Sequence, residues 1–374
     1  MTTTPQTARS FLNEVVLPAV YPDRLPLQLT ARTLPGEPVA AAEATTGSFG
    51  PMAVGDRWGG MWATVWFRCQ ATVPAEWAGR PVAAVIHLGG ARQVGFSAEG
   101  LIWTPDLVPV QGLHHEHREF AISPSAAAGQ TVDFFVEAAA NPIPRWHMKD
   151  WPRLEPDYAG TELYALEQAD LATVDSEVKA LSVDMDVAIQ IAEWMGDRRD
   201  EALAAIDDAI GVVTAGGAGA APKAREALRP LLGRANTGAV HTMIGVGHAH
   251  IDTAWLWPVR ETKRKCARSF ANQLRMLEKY PDHHFVCSQA VQYQWMKDEY
   301  PDIYRRIKEQ VVAGRWEPVG GMWVEADANV PSGESLVRQF VHGKRFFSDE
   351  FGVETHEMWI PDVFGYSAAL PQIA

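Results

Sequence analysis

Apolar positions follow three different rhythms along the chain. Between about 55 and 140 they recur every second residue. In Met61–Gln70, Ala63, Val65, Phe67 and Cys69 share one face, and Trp62, Thr64, Trp66 and Arg68 the other. Similar runs occupy Val82–Leu88, Gln93–Ser97, Arg118–Ile122 and Thr131–Ala138, with turn residues at Gly89-Gly90, Glu99-Gly100 and Gly129. Short strands at this spacing predict a β-sandwich domain over residues 55–158. Residues 1–54 show neither period and read as an irregular N-terminal segment.

Over 159–240 the rhythm becomes helical. Leu181, Met185, Ala188 and Ala192 fall at i, i+4, i+7 and i+11, and Ala202–Val212 predicts a second helix. Thr214–Pro222, rich in Gly and Ala, breaks the pattern. No catalytic constellation occurs here, so the segment reads as a helical connector. Over 241–374 strand and helix alternate. Strands are predicted at 242–249, His284–Ser288, Trp316–Glu325 and Glu357–Ile360. Helices are predicted over Glu261–Tyr280, up to Gly314, and from Pro331-Ser332-Gly333-Glu334 to Gly352. Repeated β-α units imply a parallel sheet, whose ligands bind beyond the C-terminal strand ends. A closed barrel needs more units than this, so the chain is expected to stop short of a natural domain end.

Composition adds exclusions. The 374 residues are 47% hydrophobic and 21% charged, an ordinary multidomain globular balance. The net charge of −13 argues against nucleic acid or an anionic membrane surface as partner. Lys263-Arg264-Lys265 is short and lies within a helical pattern, so it reads as a solvated face. Three dispersed cysteines without Cys-x-x-Cys spacing suit a reducing, cytoplasmic compartment. No apolar run approaches the ~20 residues of a membrane span, and the N-terminus does not read as a signal peptide. The 14 tryptophans supply candidate sugar platforms as well as core.

The densest chemistry lies at the end of the first predicted parallel strand. His248, His250 and Asp252 alternate there and share a face, followed by Trp255-Leu256-Trp257. Imidazole and carboxylate together form a ligand set for zinc. Asp362, in Trp359–Tyr366, is by itself a turn or helix-capping aspartate. At the C-terminal end of the fourth predicted strand it becomes a candidate third metal ligand.

Gly247–Trp255, Gly320-Gly321-Met322-Trp323-Val324-Glu325 and Trp359–Gly365 resemble the signature blocks of glycoside hydrolase family 38, the zinc-dependent α-mannosidases. The part before them resembles the β-domain of the cytosolic and vacuolar-type members. The resemblance implies a multidomain fold: an N-terminal β-sandwich, a helical connector and the first half of a β/α barrel of incomplete seven-stranded type. It implies one zinc ion held by His250, Asp252 and Asp362, with Asp362 also the nucleophile and His248 outside the ligand set. Trp255 and Phe364 would line the sugar site, and the partners would be mannose-containing oligosaccharides, with a homo-oligomer left open. A further histidine ligand and the acid/base aspartate are implied beyond Ala374, which makes the chain alone an inactive fragment. Two other readings remain: an amidohydrolase-type hydrolase, in which both histidines bind metal, and a non-catalytic carbohydrate-binding fragment.

Overall fold

The computed structural model describes residues 3–90, 95, 97–142, 161–234, 242–362 and 364–374. The N-terminal segment proves to be built of regular elements. It opens with α1 (Pro5–Phe11), a π-helical turn at Leu12–Val16 and α2 (Leu17–Ala19). The Thr4 hydroxyl caps α1, accepting the Thr7 N–H at 3.2 Å. Then come β1 (Arg24–Pro26), β2 (Gln28–Thr33), α3 (Ala41–Thr45) and β3 (Gly50–Met52). Elements this short, half-buried along β2, leave no apolar period to read.

The remaining strands of this part are β4 (Arg57–Trp58), β5 (Thr64–Thr72), β6 (Val82–His87), β7 (Glu99–Trp103), β8 (Pro109–Leu113), β9 (Glu119–Ser123), β10 (Thr131–Ala139), β11 (Tyr164–Ala165) and β12 (Gln168–Thr173). A four-stranded sheet runs β1-β12-β6-β9 and a six-stranded sheet β3-β2-β5-β10-β7-β8, every pairing antiparallel. Both bury one face in a shared core of Val65, Phe67, Ile86, Ile102, Phe134, Val136 and Leu171, which makes the expected sandwich.

Several expectations need correction here. The strand at Gln93–Ser97 falls mostly outside the described residues. Glu99-Gly100 is no turn: it begins β7. A Cβ on Gly100 would lie 2.8 Å from Val136 and 3.0 Å from Leu88, so glycine there permits close packing inside the sandwich. Residues 164–165 and 168–173, assigned to the helical connector, are the strands β11 and β12; in β12, Ala169 and Leu171 alternate into the sandwich core. The helical part proper is α4 (Ser176–Trp194), α5 (Arg199–Gly216) and α6 (Ala221–Leu232). They pack with α1 on Leu12, Leu181, Met185, Ile206 and Leu228.

The last part holds β13 (Gly247–His248), α7 (Val259–Lys279), β14 (Phe285–Cys287), α8 (Ala290–Glu299), α9 (Pro301–Val312), β15 (Trp316–Pro318), α10 (Gly333–Phe351) and α11 (Leu370–Ile373). Among the described residues the sheet has three parallel strands, β13-β14-β15, where four were expected. The apolar run before His248 is not a buried strand: Met243 and Ile244 are 92% and 89% exposed. Its neighbour β14 is three residues long, and on this side it pairs with Gly247 and His248 alone. Strand three stops at Pro318, after which Gly320 and Gly321, both at positive φ, turn the chain. The segment expected as strand four reaches this turn without ladder bonds. The Gly320 N–H donates to the Glu357 carboxylate at 3.1 Å, and a Cβ on Gly320 would lie 2.9 Å from that of Trp359.

The second face of the six-stranded sheet is covered by this last part. Trp66, Leu101, Trp103 and Phe135 share one core with Phe270, Leu274, Tyr293 and Trp316. Arg264 and Lys265 are therefore not a solvated face. They are 5% and 7% exposed and meet Glu137 at 3.0 Å and Glu99 at 3.2 Å.

Candidate metal centre

Past His248 the chain leaves the sheet, so period-two alternation no longer sets where its side chains point. Tethers do. The Ile251 carbonyl accepts from the side-chain amides of Gln289 and Gln292, both at 2.9 Å. The Thr253 hydroxyl donates to Gln289 at 2.9 Å. The Asp252 carbonyl accepts from the Thr262 hydroxyl at 3.1 Å and the Trp257 indole at 3.3 Å. These bonds fix the 251–253 backbone against the N-terminal ends of α7 and α8.

So held, His250 faces three carboxylates. Its Nδ1 lies 2.6 Å from Glu325 Oε2. Its Nε2 lies 3.4 Å from Asp252 Oδ1 and 3.6 Å from Asp362 Oδ2. Asp252 and Glu325 together raise the imidazole pKa to about 10. Glu325 is the most enclosed of the group, 4% exposed in its side chain, and accepts the Ser288 hydroxyl.

His248 is placed apart. Its Nε2 accepts the Trp359 indole N–H at 3.1 Å, and burial pushes its pKa down. The structure thus brings together His250, Asp252 and Asp362, as expected, and leaves His248 out of the cluster. That arrangement does not suit the amidohydrolase pattern. Trp255 lines the same cleft as His250 and Asp252 and packs edge-on to Trp257, ring centroids 5.9 Å apart. The Phe364 side chain is 85% exposed, and its carbonyl accepts from Asn329 at 3.4 Å.

The cluster fits a divalent cation. One ligand atom each from His250, Asp252 and Asp362 lies within 4.8 Å of the others. Donor atoms around a tetrahedral zinc stand about 3.4 Å apart, close to the two Nε2 distances above. The buried Nε2 has no hydrogen-bond partner, and two carboxylates face it. A cation bound there would satisfy all three groups, with the imidazole neutral.

Glu325 joins this cluster although the sequence reading gives it no role. It was expected at the end of a strand over Trp316–Glu325, but β15 ends at Pro318 and the loop beyond it brings the carboxylate to His250. The Glu325 geometry is that of a carboxylate orienting a metal-binding histidine through the far ring nitrogen.

Comparison with known proteins agrees with this layout. Residues 240–374 match the glycosyl hydrolases family 38 N-terminal domain, and residues 25–172 match the alpha-mannosidase jelly roll domain. Alpha-mannosidase 2C1 of Homo sapiens is 37% identical over 358 residues, covering 93% of this chain and 33% of that protein. Alpha-mannosidase G of Dictyostelium discoideum is 33% identical, over 86% of this chain and 29% of that protein. The alpha-mannosidase of Saccharomyces cerevisiae is 30% identical, over 84% of this chain and 30% of that protein. The chain spans about a third of the length of these curated relatives. The jelly roll match coincides with the two-sheet sandwich and the family 38 match contains the His250–Asp252–Asp362 cluster, so the chain belongs to family 38 of the glycosyl hydrolases.

Proposed function

We propose that the complete protein is a zinc-dependent, retaining α-mannosidase acting on terminal α-mannosides of oligosaccharides. The observation that carries this reading is the convergence of His250, Asp252 and Asp362, two of which, His250 and Asp252, line a cleft together with Trp255. In it the three parallel β-α units are the beginning of a β/α barrel.

His250, Asp252 and Asp362 would hold the zinc ion, with Glu325 fixing the imidazole ring. Zinc, when bound, supplies a Lewis acid able to hold adjacent sugar hydroxyls and favour ring distortion. Asp362, the most exposed of the three at 51% of its side chain, is the group that can reach a sugar. Its carboxylate attacks the anomeric carbon as the glycosidic bond breaks, giving a glycosyl ester that water then hydrolyses. Two displacements at one carbon retain its configuration. Trp255 offers an aromatic face to the sugar ring, and Phe364 is a second candidate wall. The acid/base aspartate and the further histidine ligand implied by the resemblance are assigned to no residue of this chain.

A cytoplasmic setting is supported by three buried free cysteines. No helix among the described residues is long and apolar enough to cross a membrane.

The test is NMR of the first-formed sugar from an aryl α-mannoside with the zinc-loaded complete protein. The α-anomer is expected first. First release of the β-anomer, or no cleavage, overturns the reading.

A further inference from the structure

A cleft of about 490 Å³ lies beside the candidate metal centre, within the size range of small-molecule sites. Its walls come from two domains. One end holds His250, Asp252 and Trp255 of the metal-bearing domain; the other holds Glu99, Gly112 and His114 of the jelly roll. Between them runs one side of α7. Most of that helix is buried in apolar or ionic contacts, but Ser269, Asn272 and Gln273 are only half-buried and line the cleft. They stand at i, i+3 and i+4, so they form one polar stripe.

The lining has the chemistry that recognises a sugar. Trp257 provides an aromatic surface beside Trp255, with the Lys265 ammonium 4.6 Å over its ring. Glu99 and Lys265 form a charged floor, and a carboxylate and an ammonium are a polyol's strongest hydrogen-bonding partners. Burial pushes the His114 pKa down, which keeps its ring neutral and able to accept from a hydroxyl. Asn272 ties the two walls together, its side-chain oxygen accepting the Gly112 N–H at 2.9 Å. The cleft is therefore a built feature of the domain contact rather than a gap between loosely placed bodies.

We infer that this cleft is a subsite for the leaving-group side of an oligosaccharide, formed jointly by the jelly roll and α7. The inference rests on the mannosidase reading and deepens it: the sugar losing its bond sits at the His250–Asp252–Asp362 cluster, and the next sugar lies between Trp257, Ser269 and His114. The jelly roll then takes part in substrate choice. It makes the protein favour a second sugar over a small leaving group.

The experiment compares an α-linked mannobiose with α-mannosyl fluoride, whose leaving group is a single atom and leaves the cleft empty. Ser269→Trp fills the cleft, and His114→Ala is a milder change to the jelly-roll wall. In both variants of the complete, zinc-loaded protein, the ratio of kcat/KM for mannobiose to that for the fluoride is expected to fall. The fall should be about tenfold for Ser269→Trp and less for His114→Ala. A ratio unchanged in both, whether each rate holds or both fall together, overturns the subsite. A wild-type protein that turns over neither substrate overturns the mannosidase reading itself, and fluoride turnover by wild type separates the two failures.

Discussion

His250 concentrates the logic of the site. Its two ring nitrogens have different neighbours: Nδ1 has a buried carboxylate at 2.6 Å, and Nε2 looks toward the two more exposed ones. A histidine so oriented presents a lone pair at one fixed point, whereas His248 spends its Nε2 on the Trp359 indole. Loss of His250 or Asp252 to alanine should abolish tight zinc binding and activity together. Glu325→Gln keeps the size but removes the charge, and should weaken zinc by roughly 10–100-fold, the usual effect of losing an orienting partner. His248→Ala should retain metal better than either ligand variant. Chelator competition on the complete protein measures all four, and equal loss in every variant would contradict the assignment. That His250, Asp252 and Asp362 come together, with His248 apart, was expected from the resemblance of the three sequence blocks. The way they are brought together was not. The sequence suggested a shared strand face, but β13 ends at His248 and the tethers from Gln289, Gln292, Thr262 and Trp257 place the ligands. Those tethers come from helix starts that no local period announces.

Long elements were visible in the apolar pattern because each repeats its signal several times. The helix opened by Ser332 and closed by Gly352 is found as α10, with the Ser332 hydroxyl accepting the Ser335 N–H at 3.2 Å and Gly352 left-handed at φ 66°. Strands of two or three residues repeat nothing, which is why β1, β3 and β4 were missed and the length of β15 overestimated. Proline decided one further boundary: the helix expected up to Gly314 splits at Tyr300-Pro301 into α8 and α9. Contacts between elements leave still less trace. Gly343, inside α10, reads as a poor helix residue. In the structure a Cβ there would collide with the backbone of Gly321 and Met322. The same helix holds the loop that leads to Glu325: the Gln339 carbonyl accepts the Trp323 N–H and the Gln339 side chain the Val324 N–H, both at 2.9 Å. Gly343→Ala should thus cost stability despite its better helix propensity, by about 1–3 kcal/mol from overpacking. It should also weaken zinc binding by displacing Glu325. Thermal unfolding and chelator competition check the pair of effects, and a stabilised variant would show that the close approach is absent.

The whole chain is less divisible than its three rhythms suggest. The alternation in Met61–Gln70 gave two faces, and Thr64, Trp66 and Arg68 could have faced water. Instead Trp66 joins Trp103 and Phe135 in a core completed by Phe270 and Trp316, and Thr64 accepts a hydrogen bond from Arg264 at 3.1 Å. Beside that core runs a buried chain of charges. Arg264 meets Glu137 at 3.0 Å and Glu261 at 3.3 Å, Arg268 meets Glu261 and, at 2.6 Å, Glu99, and Lys265 meets Glu99 at 3.2 Å. Buried networks like this couple the surfaces they join, because removing one partner leaves another charge desolvated and alone, typically costing about 3–5 kcal/mol. The network also sets an acid limit. Burial alone would raise the Glu99 carboxyl, but Lys265 and Arg268 outweigh it and hold it at about 2. A glutamate in the unfolded chain titrates near 4.3. Between those values the unfolded state binds the extra proton, so stability rises with pH. Glu99 contributes fully above about 4.3, and its contribution is lost as pH falls toward 2. Thermal unfolding of the complete protein from pH 7 to 3 should show the midpoint dropping below about pH 4.5. Glu99→Gln should begin less stable at pH 7 and lose less over the same acid range. Some slope remains in that variant, since Glu261 is also held below its ordinary value despite burial, by Arg268 and Arg264. A variant as stable as wild type at pH 7, with an equally steep acid loss, would mean that the charges between jelly roll and α7 do not bind the two domains together.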